Sequence, residues 1–196
     1  MGQDGILRAD CQSVQPGAAR PGDKGAPSES RPMLIVFAGP PCSGKTTLAA
    51  EVARLRGLPH LSMDATRQRL LPGAAHTRAD RRVAYRGMHF AAELLLAAGA
   101  GAVLDAPYDH PEDRAELARI AGSHLKLIEC HVTPSAAAAR LRERGLHDPA
   151  RPDLTEERVR RLVRDYPYSG AGLELDTTVM TPEACLTRIA EYIREG

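Results

Sequence analysis

Residues 33–46 read MLIVFAGPPCSGKT, a short apolar run followed at once by a loop that begins and nearly ends on glycine. The run Met33–Ala38 is too short for a helix and apolar throughout, which is typical of a strand covered on both faces of a parallel sheet. The loop from Gly39 to Thr46 matches the pattern Gly-x-x-x-x-Gly-Lys-Ser/Thr, with a strand before it and a helical pattern after it, as that motif requires. This stretch decides the fold class.

The chemistry of such a loop is phosphate binding. Glycines let backbone amides turn inward around phosphate oxygens, and the start of the following helix adds partial positive charge. Lys45 is expected to reach the β- and γ-phosphates, and the Thr46 hydroxyl to ligate Mg²⁺. We therefore expect a nucleoside triphosphate, ATP or GTP, bound with Mg²⁺. The expected nucleotide-binding residues of the loop are Gly39, Pro40, Pro41, Cys42, Ser43, Gly44, Lys45, Thr46 and Thr47.

Short apolar strands alternate with helical patterns along the rest of the chain, which predicts an α/β fold of three layers, α/β/α, around a five-stranded parallel sheet. Further strands are expected at Leu58–Ser62, Ala102–Asp105, Leu125–Val132 and Leu173–Leu175. Helices are expected at Leu48–Leu55, Arg78–Ala98, Pro111–Ala121, Pro134–Arg144, Thr155–Asp165 and Pro182–Arg194. Thr133, Thr155 and Thr181 stand where helix-capping hydroxyls are favoured.

Composition limits the classes of protein that the chain can belong to. Residues 1–32 are rich in Gly, Pro, Ser and Gln without apolar periodicity, so we expect a disordered arm before a single domain at 33–196. A formal net charge of +1 argues against a DNA-coating or membrane-surface protein. No apolar run is long enough to cross a membrane. The four cysteines are far apart in sequence, which indicates free thiols and a cytoplasmic protein.

Two classes of triphosphate-using protein do not fit the sequence. A GTPase switch would need an Asn-Lys-x-Asp motif, and the sequence has none. Motor ATPases normally carry a strand that ends in Asp-Glu, whereas here Asp105 is followed by Ala106. A small kinase fits better.

An acidic residue follows the second predicted strand, at Asp64. Ligands of open parallel sheets lie beyond the carboxyl ends of the strands, so Asp64 is expected to face the γ-phosphate and could take the proton of an attacking hydroxyl. Arg67, one helical turn later, could neutralise the transferring phosphoryl group or hold the acceptor. The alternative is a surface ion pair that caps a short helix.

The phosphate loop, the Asp64-x-x-Arg67 pair and the block Leu104–Arg114 together resemble one group of P-loop kinases. That group holds the kinase domain of polynucleotide 5′-kinases, zeta-toxin-type kinases and chloramphenicol phosphotransferase. The resemblance runs from about Met33 to Thr178 and implies a nucleoside-monophosphate-kinase-like fold with a helical lid. It implies that Asp64 is the general base and that Arg67 binds the reacting phosphate.

The same resemblance implies roles for residues later in the chain. Asp105 and Arg114 are expected near the acceptor, although Asp105 could instead hold a metal-bound water. Residues 140–158 are expected to form the lid, in which Arg140 and Arg144 close on the ATP phosphates and Arg144 assists catalysis. The alternative for these two arginines is a solvated basic end of a helix.

Other candidates carry a weaker signal. Thr177 or Thr178, after the last strand, borders the adenine pocket if the resemblance holds. Arg158, Arg161 and Arg164 are expected on a solvated face, with one of them in the site as the alternative. Tyr85, His89 and Phe90 could line an acceptor pocket, but core packing is expected for Phe90.

The nature of the acceptor is the open question. Binding of single strands normally uses aromatic stacking platforms along a basic track, and aromatics are only 4% of this chain, with no Trp. A small-molecule acceptor with a hydroxyl group, such as a nucleoside, a sugar or an antibiotic, is therefore favoured. The alternatives are a polynucleotide 5′-hydroxyl kinase and, from another class, a nucleotide-binding regulator without phosphotransfer.

Overall fold

The structure is a computed structural model that describes residues 32–145 and 154–195. The expected disordered arm, apart from Pro32, and the middle of the expected lid, residues 146–153, lie outside the described residues.

The described residues form five strands, seven α-helices and one turn of 3₁₀ helix at Gly122–His124. The strands are β1 (Leu34–Ala38), β2 (His60–Ser62), β3 (Ala102–Ala106), β4 (Leu125–His131) and β5 (Leu173–Asp176). The helices are α1 (Lys45–Arg56), α2 (Met63–Leu70), α3 (Arg78–Ala97), α4 (Pro111–Ala121), α5 (Pro134–Glu143), α6 (Glu156–Arg164) and α7 (Pro182–Arg194). All strand pairs are parallel, in the order β2-β3-β1-β4-β5, which confirms the predicted sheet.

Strand β1 lies at the centre of the sheet, and all five of its residues are buried. Successive side chains of a strand point to opposite faces. Leu34, Val36 and Ala38 therefore enter a core built with α3 and α4. Ile35 and Phe37 enter a second core built with α1 and α7. Covering both faces of the sheet with helices gives the three predicted layers.

One helix begins earlier than predicted and another was not predicted as a separate element, whereas the bounds of the other elements agree with the prediction to within two residues. Helix α1 begins at Lys45 rather than Leu48, because Gly44 adopts a left-handed conformation (φ 83°) that ends the loop and starts the helix directly. Helix α2 was not delimited in the sequence. It follows β2 without a break, so the residues that read as a strand end continue into a helix at Met63.

The three aromatic candidates on α3 differ in burial, because the helix packs only one of its faces against the core. Tyr85 and His89 face the core and are each 1% exposed. Phe90 is 61% exposed, so the expectation that it packs in the core is wrong. Its position, one residue past His89, turns it about 100° away from the buried stripe.

Helices α5 and α6 pack on each other beside the phosphate loop. Their contact is apolar and is formed by Ala137, Leu141, Val159 and Val163, and Cys42 of the loop joins the same cluster. The last turn of α5 and the first residues of α6 fall within the expected lid, residues 140–158.

Two smaller expectations concern the cysteines and the membrane. Cys42, Cys130 and Cys185 are free thiols, as predicted, and Cys11 lies outside the described residues. In the described part of the chain, each helix is either too short or too polar for a membrane span.

The two phenylalanines of the chain provide a matched test of the core. Phe37 is fully buried in the central strand, and its replacement by Ala should lower the free energy of unfolding by about 3–5 kcal/mol. Phe90→Ala removes the same side chain from an exposed position and should change it by about 0.5 kcal/mol or less. Denaturant unfolding measures both. Equal losses in the two variants would contradict the burial described for β1.

Candidate functional site

The phosphate loop is held closely against the carboxyl edge of the sheet. The Gly39 amide donates a hydrogen bond to the Pro107 carbonyl over 3.4 Å. A Cβ atom at Gly39 would lie 2.8 Å from the Cys130 carbonyl oxygen and 2.8 Å from Ser43 Oγ. Any other residue would have to push the loop away from β4, so the chemistry of the loop requires glycine here.

A second set of contacts fixes the loop from the side of α5. Arg140 Nη1 donates to the Cys42 carbonyl at 3.1 Å and to the Thr177 hydroxyl at 3.0 Å, and Nη2 donates to the Thr177 carbonyl at 2.5 Å. The Thr177 hydroxyl lies 2.9 Å from the carbonyl oxygens of both Ser43 and His131. The Arg140 guanidinium thus connects the loop to the end of β5, a role that the sequence did not indicate.

This contact also holds strained backbone. Cys42 has a φ of 61° without being glycine, a conformation that persists only where the surroundings fix it. Its carbonyl is the one that Arg140 binds. Arg140 therefore supports the shape of the loop.

Thr46 and Asp105 meet at the place where a metal ion is expected. Thr46 Oγ1 donates to Asp105 Oδ1 over 2.8 Å, and His60 Nε2 lies 2.7 Å from Asp105 Oδ2. Mg²⁺ in nucleotide sites takes one or two protein oxygens together with phosphate oxygens and water. A hydroxyl and a carboxylate in contact fit that requirement, so these residues could hold the ion.

The charge of Asp105 is set by its surroundings. The side chain is 4% exposed, and burial alone would raise its pKa. The hydrogen bond from His60, the charge of Lys45 and the hydrogen bond from Thr46 outweigh burial and leave the pKa of Asp105 below its ordinary value. The carboxylate is therefore charged at neutral pH, as a metal site needs.

Sequence reasoning missed His60. The only signal available was a polar residue within a short strand, two positions before Ser62. The missing information was the pairing of β2 with β3. Ser62 pairs with Asp105 and His60 pairs with Val103, so β2 runs alongside the residue that carries the carboxylate.

Asp64 lies in the first turn of α2 and lines a cavity of about 100 Å³ at the phosphate loop. We name this space the phosphate-loop cavity. Lys45 and Thr46 line it as well, together with Arg144 at the end of α5. The structure thus brings the predicted acid, the predicted loop lysine and one of the two expected lid arginines around a single space.

Arg67 is an unusually buried cation. It is 3% exposed, and its Nε has no hydrogen-bond partner among the described residues. A buried donor of a cation that is left without an acceptor is costly. The position, one turn after Asp64, is therefore suited to an anion that arrives with a ligand.

A second cavity, of about 210 Å³, adjoins the first and is named the α7 cavity because Met180, Pro182 and Cys185 line it from that side. Arg140, Arg144 and Thr177 also line it. Thr178, expected here, instead accepts a hydrogen bond from the Thr133 amide at 2.9 Å through its hydroxyl. Arg144 lines both the α7 cavity and the phosphate-loop cavity, and its side chain is exposed.

A third cavity, of about 260 Å³, opens on the other side of the loop and is named the α6 cavity. Its apolar lining includes Pro40, Pro41, Met63, Pro107, Leu162 and Tyr166. Its polar lining consists of Arg81, Asp109, Arg158, Asp165 and His76. Arg158 is thus the one member of the series Arg158, Arg161 and Arg164 that lines this cavity.

Arg114 is placed behind the α6 cavity. Its Nε donates to the Tyr108 carbonyl at 2.5 Å, and its Nη2 donates to the Pro167 carbonyl at 2.6 Å. The buried Glu129 carboxylate lies 3.6 Å from the same Nη2. The guanidinium therefore braces the two segments, Tyr108 and Pro167, that run beside the cavity.

The three cavities form a row along the carboxyl edge of the sheet. The phosphate-loop cavity shares Arg144 with the α7 cavity and Pro41 with the α6 cavity. It therefore lies between them. Two binding spaces that meet at a phosphate loop suit a reaction between a nucleotide and a second molecule.

Solved structures with the same fold carry names of small-molecule kinases. An APS kinase from Mycobacterium tuberculosis, in complex with AMPPNP and APS, aligns with a TM-score of 0.65 and 22% identity over 84% of this chain and 98% of that chain. A sugar kinase from Janibacter sp. HTCC2649 aligns with a TM-score of 0.63 and 19% identity over 83% and 95%. A gluconokinase from Sinorhizobium meliloti 1021 aligns with a TM-score of 0.59 and 21% identity over 84% and 97%.

These likenesses establish the fold. A search of curated proteins finds no match. Among protein families, the one described as AAA domain (AAA_33) matches residues 34–168, which is more than half of the chain and contains the phosphate loop, Asp64, Asp105 and the α5–α6 pair. The chain therefore belongs to the AAA_33 family of AAA domains and has the fold of P-loop kinases.

Proposed function

We propose that the protein is an ATP-dependent kinase that transfers the γ-phosphate to a hydroxyl group of a small molecule. The observation that carries this proposal is the row of cavities, with Asp64, Lys45 and Thr46 around the middle one. A nucleotide base in the α7 cavity would extend its phosphates through the loop toward an acceptor in the α6 cavity.

Each residue around the phosphate-loop cavity has a proposed role. Lys45 and Arg144 supply positive charge to the phosphates, which is the main source of catalysis in phosphoryl transfer. Asp64 accepts the proton of the acceptor hydroxyl. Arg67, which is buried and whose Nε has no hydrogen-bond partner in the described residues, binds an oxygen of the transferring group.

Thr46 and Asp105 would hold Mg²⁺. When bound, the ion neutralises charge on the β- and γ-phosphate oxygens. His60 is proposed to keep the Asp105 carboxylate in the orientation that the Thr46 contact requires, because it binds the second carboxylate oxygen.

The size of the α6 cavity supports a small acceptor. Its volume of about 260 Å³ is below the roughly 300–1,000 Å³ usual for ligand pockets. Tyr166 is the only Phe, Tyr or Trp side chain in its described lining, where a nucleic-acid strand would need several such stacking platforms. The kinase names of structures with the same fold point in the same direction.

The phosphate loop is tested by Lys45→Ala. Loss of the lysine charge should lower turnover by about 10²-fold or more, because the developing charge on the phosphoryl group loses its partner. Initial rates with ATP and a verified acceptor measure the effect. Lys126→Ala, at the opposite edge of the sheet, is the control and should keep its turnover. Equal turnover in both variants would exclude this loop as the catalytic nucleotide site.

The general base is tested by Asp64→Asn, which is nearly isosteric. We expect phosphotransfer to fall by about 10²–10⁴-fold, while nucleotide affinity measured by calorimetry stays within about twofold, because the loss is in the transition state. Glu191→Gln, on the exposed end of α7, is the matched control. Full activity of Asp64→Asn would mean that another acid is the general base.

The wild-type protein tests the regulator alternative. Intact nucleotide binding with no phosphate transfer to any acceptor would support that alternative.

The role of His60 is tested by metal affinity. With the protein bound to a non-hydrolysable ATP analogue, His60→Ala should weaken Mn²⁺ binding, followed by electron paramagnetic resonance, by about 10–100-fold, as loss of such outer partners does. His60→Gln, which can still donate to Asp105, should recover part of the affinity. His124→Ala, at the amino edge of the sheet, should leave it unchanged. Unaltered Mn²⁺ binding in His60→Ala would rule out the positioning role.

A further inference from the structure

The α6 cavity contains an ion pair that is too long to be a hydrogen bond. Arg81 Nη1 and Asp109 Oδ2 are 3.7 Å apart, beyond the usual limit for N–H···O contacts. Arg81 Nε and Asp109 Oδ1 are also buried without hydrogen-bond partners in the part of the chain that the structure describes. Buried polar groups are normally satisfied. The pair therefore keeps donor and acceptor capacity that a bound molecule can use.

The backbone beside Asp109 is strained and held in place. Tyr108 has a φ of 49°, a left-handed conformation that is rare for a bulky residue, and it is 1% exposed. Its amide donates to Tyr85 Oη at 2.8 Å, and its carbonyl accepts from Arg114 Nε at 2.5 Å. His89 Nε2 lies 3.2 Å from its hydroxyl.

Both neighbours of this strained residue, Pro107 and Asp109, line the α6 cavity. Strained residues that the surrounding structure fixes cluster at ligand sites. Three side chains, from Tyr85, His89 and Arg114, therefore serve to keep one turn in the conformation that presents Asp109.

The charges that line the cavity balance. Among the described residues, Arg81 and Arg158 provide two positive charges, Asp109 and Asp165 provide two negative ones, and His76, neutral in the formal count, lines the cavity beside them. Such a lining offers no excess charge to a strongly anionic or cationic acceptor. A hydroxyl group, in contrast, accepts and donates hydrogen bonds at the same time. It can accept from a guanidinium and donate to a carboxylate that are too far apart to bond each other.

We propose that Arg81 and Asp109 recognise hydroxyl groups of the acceptor, and that the acceptor is an uncharged polyhydroxylated molecule of about monosaccharide size. This inference rests on the proposed kinase function and specifies its substrate class. Recognition takes place at hydroxyl groups next to the one that receives the phosphate.

The first test is an acceptor panel with ATP. It contains neutral pentoses, hexoses and their alditols, the corresponding sugar acids, hydroxy amino acids and a 5′-hydroxyl oligonucleotide, with product formation followed by transfer of labelled phosphate. A neutral sugar or alditol should have a kcat/KM at least tenfold above that of every charged acceptor. A charged acceptor as the best substrate would overturn the inference and leave the kinase function standing. Transfer to none of them would overturn both.

The second test asks whether Arg81 and Asp109 bind the acceptor rather than the nucleotide. With the best neutral acceptor, Asp109→Ala should raise the acceptor KM by about tenfold or more, as expected for loss of a hydrogen bond to a charged group, while the KM for ATP stays within about twofold. Asp109→Asn, which keeps an accepting oxygen, should show a smaller increase, and Arg81→Gln should again raise the acceptor KM. Arg82→Gln, exposed on the same helix, is the control for α3.

Circular dichroism and thermal melting check that each variant folds. Because Asp109→Asn preserves shape, it keeps the test valid if Asp109→Ala is unstable. An acceptor KM that is unchanged in both Asp109→Asn and Arg81→Gln, or a matching rise in the KM for ATP, would overturn the assignment of these two residues.

Discussion

Both faces of β1 have to be kept from water, and the rest of the structure follows from this constraint. Five consecutive apolar residues in the middle of a sheet need a helical layer on each side. That requirement commits the chain to crossover connections, so all strands run parallel and their carboxyl ends meet at one edge. The phosphate loop leaves β1 at this edge. The ends of β2 and β3 then bring Asp64 and Asp105 to it.

The parts of the site that could be predicted from sequence are those set by local chemistry. The loop motif fixes its own backbone through Gly39 and Gly44, and the capping hydroxyls of Thr133, Thr155 and Thr181 each accept the amide three residues later, as their positions indicated. Such features depend on a few neighbouring residues. The strand and helix pattern is local in the same sense, which is why the layers were foreseen.

What could not be predicted depends on contacts between distant segments. His60 meets Asp105 across 45 positions, and Arg140 meets Cys42 across 98. Only strand order and helix packing create these pairs. The exposure of Phe90 was missed for the same reason. Periodicity shows that α3 has an apolar face, but the width of that face depends on which residues of other elements pack against Tyr85 and His89. Arg114 resembled an acceptor ligand in sequence, and its backbone contacts appear only when the segment around Pro167 is in place.

The residues that fix the turn at Tyr108, and with it the shape of the α6 cavity, differ from the two residues proposed to select the acceptor. The residues that hold the turn lie behind the cavity. Burial raises the pKa values of Tyr85 and Tyr108 well above the ordinary tyrosine value, so both hydroxyls stay protonated near neutral pH, and burial lowers the pKa of His89 below its ordinary value. The support therefore keeps its protonation state around neutral pH, and its side chains are not among those that line the cavity. With the recognition proposed above, exchanges at Arg81 or Asp109 would alter which molecules the cavity binds and would leave the supporting residues in place. Evolution could then adapt such a site to different acceptors by changing the two contacts that face the cavity, while the residues behind it stay the same.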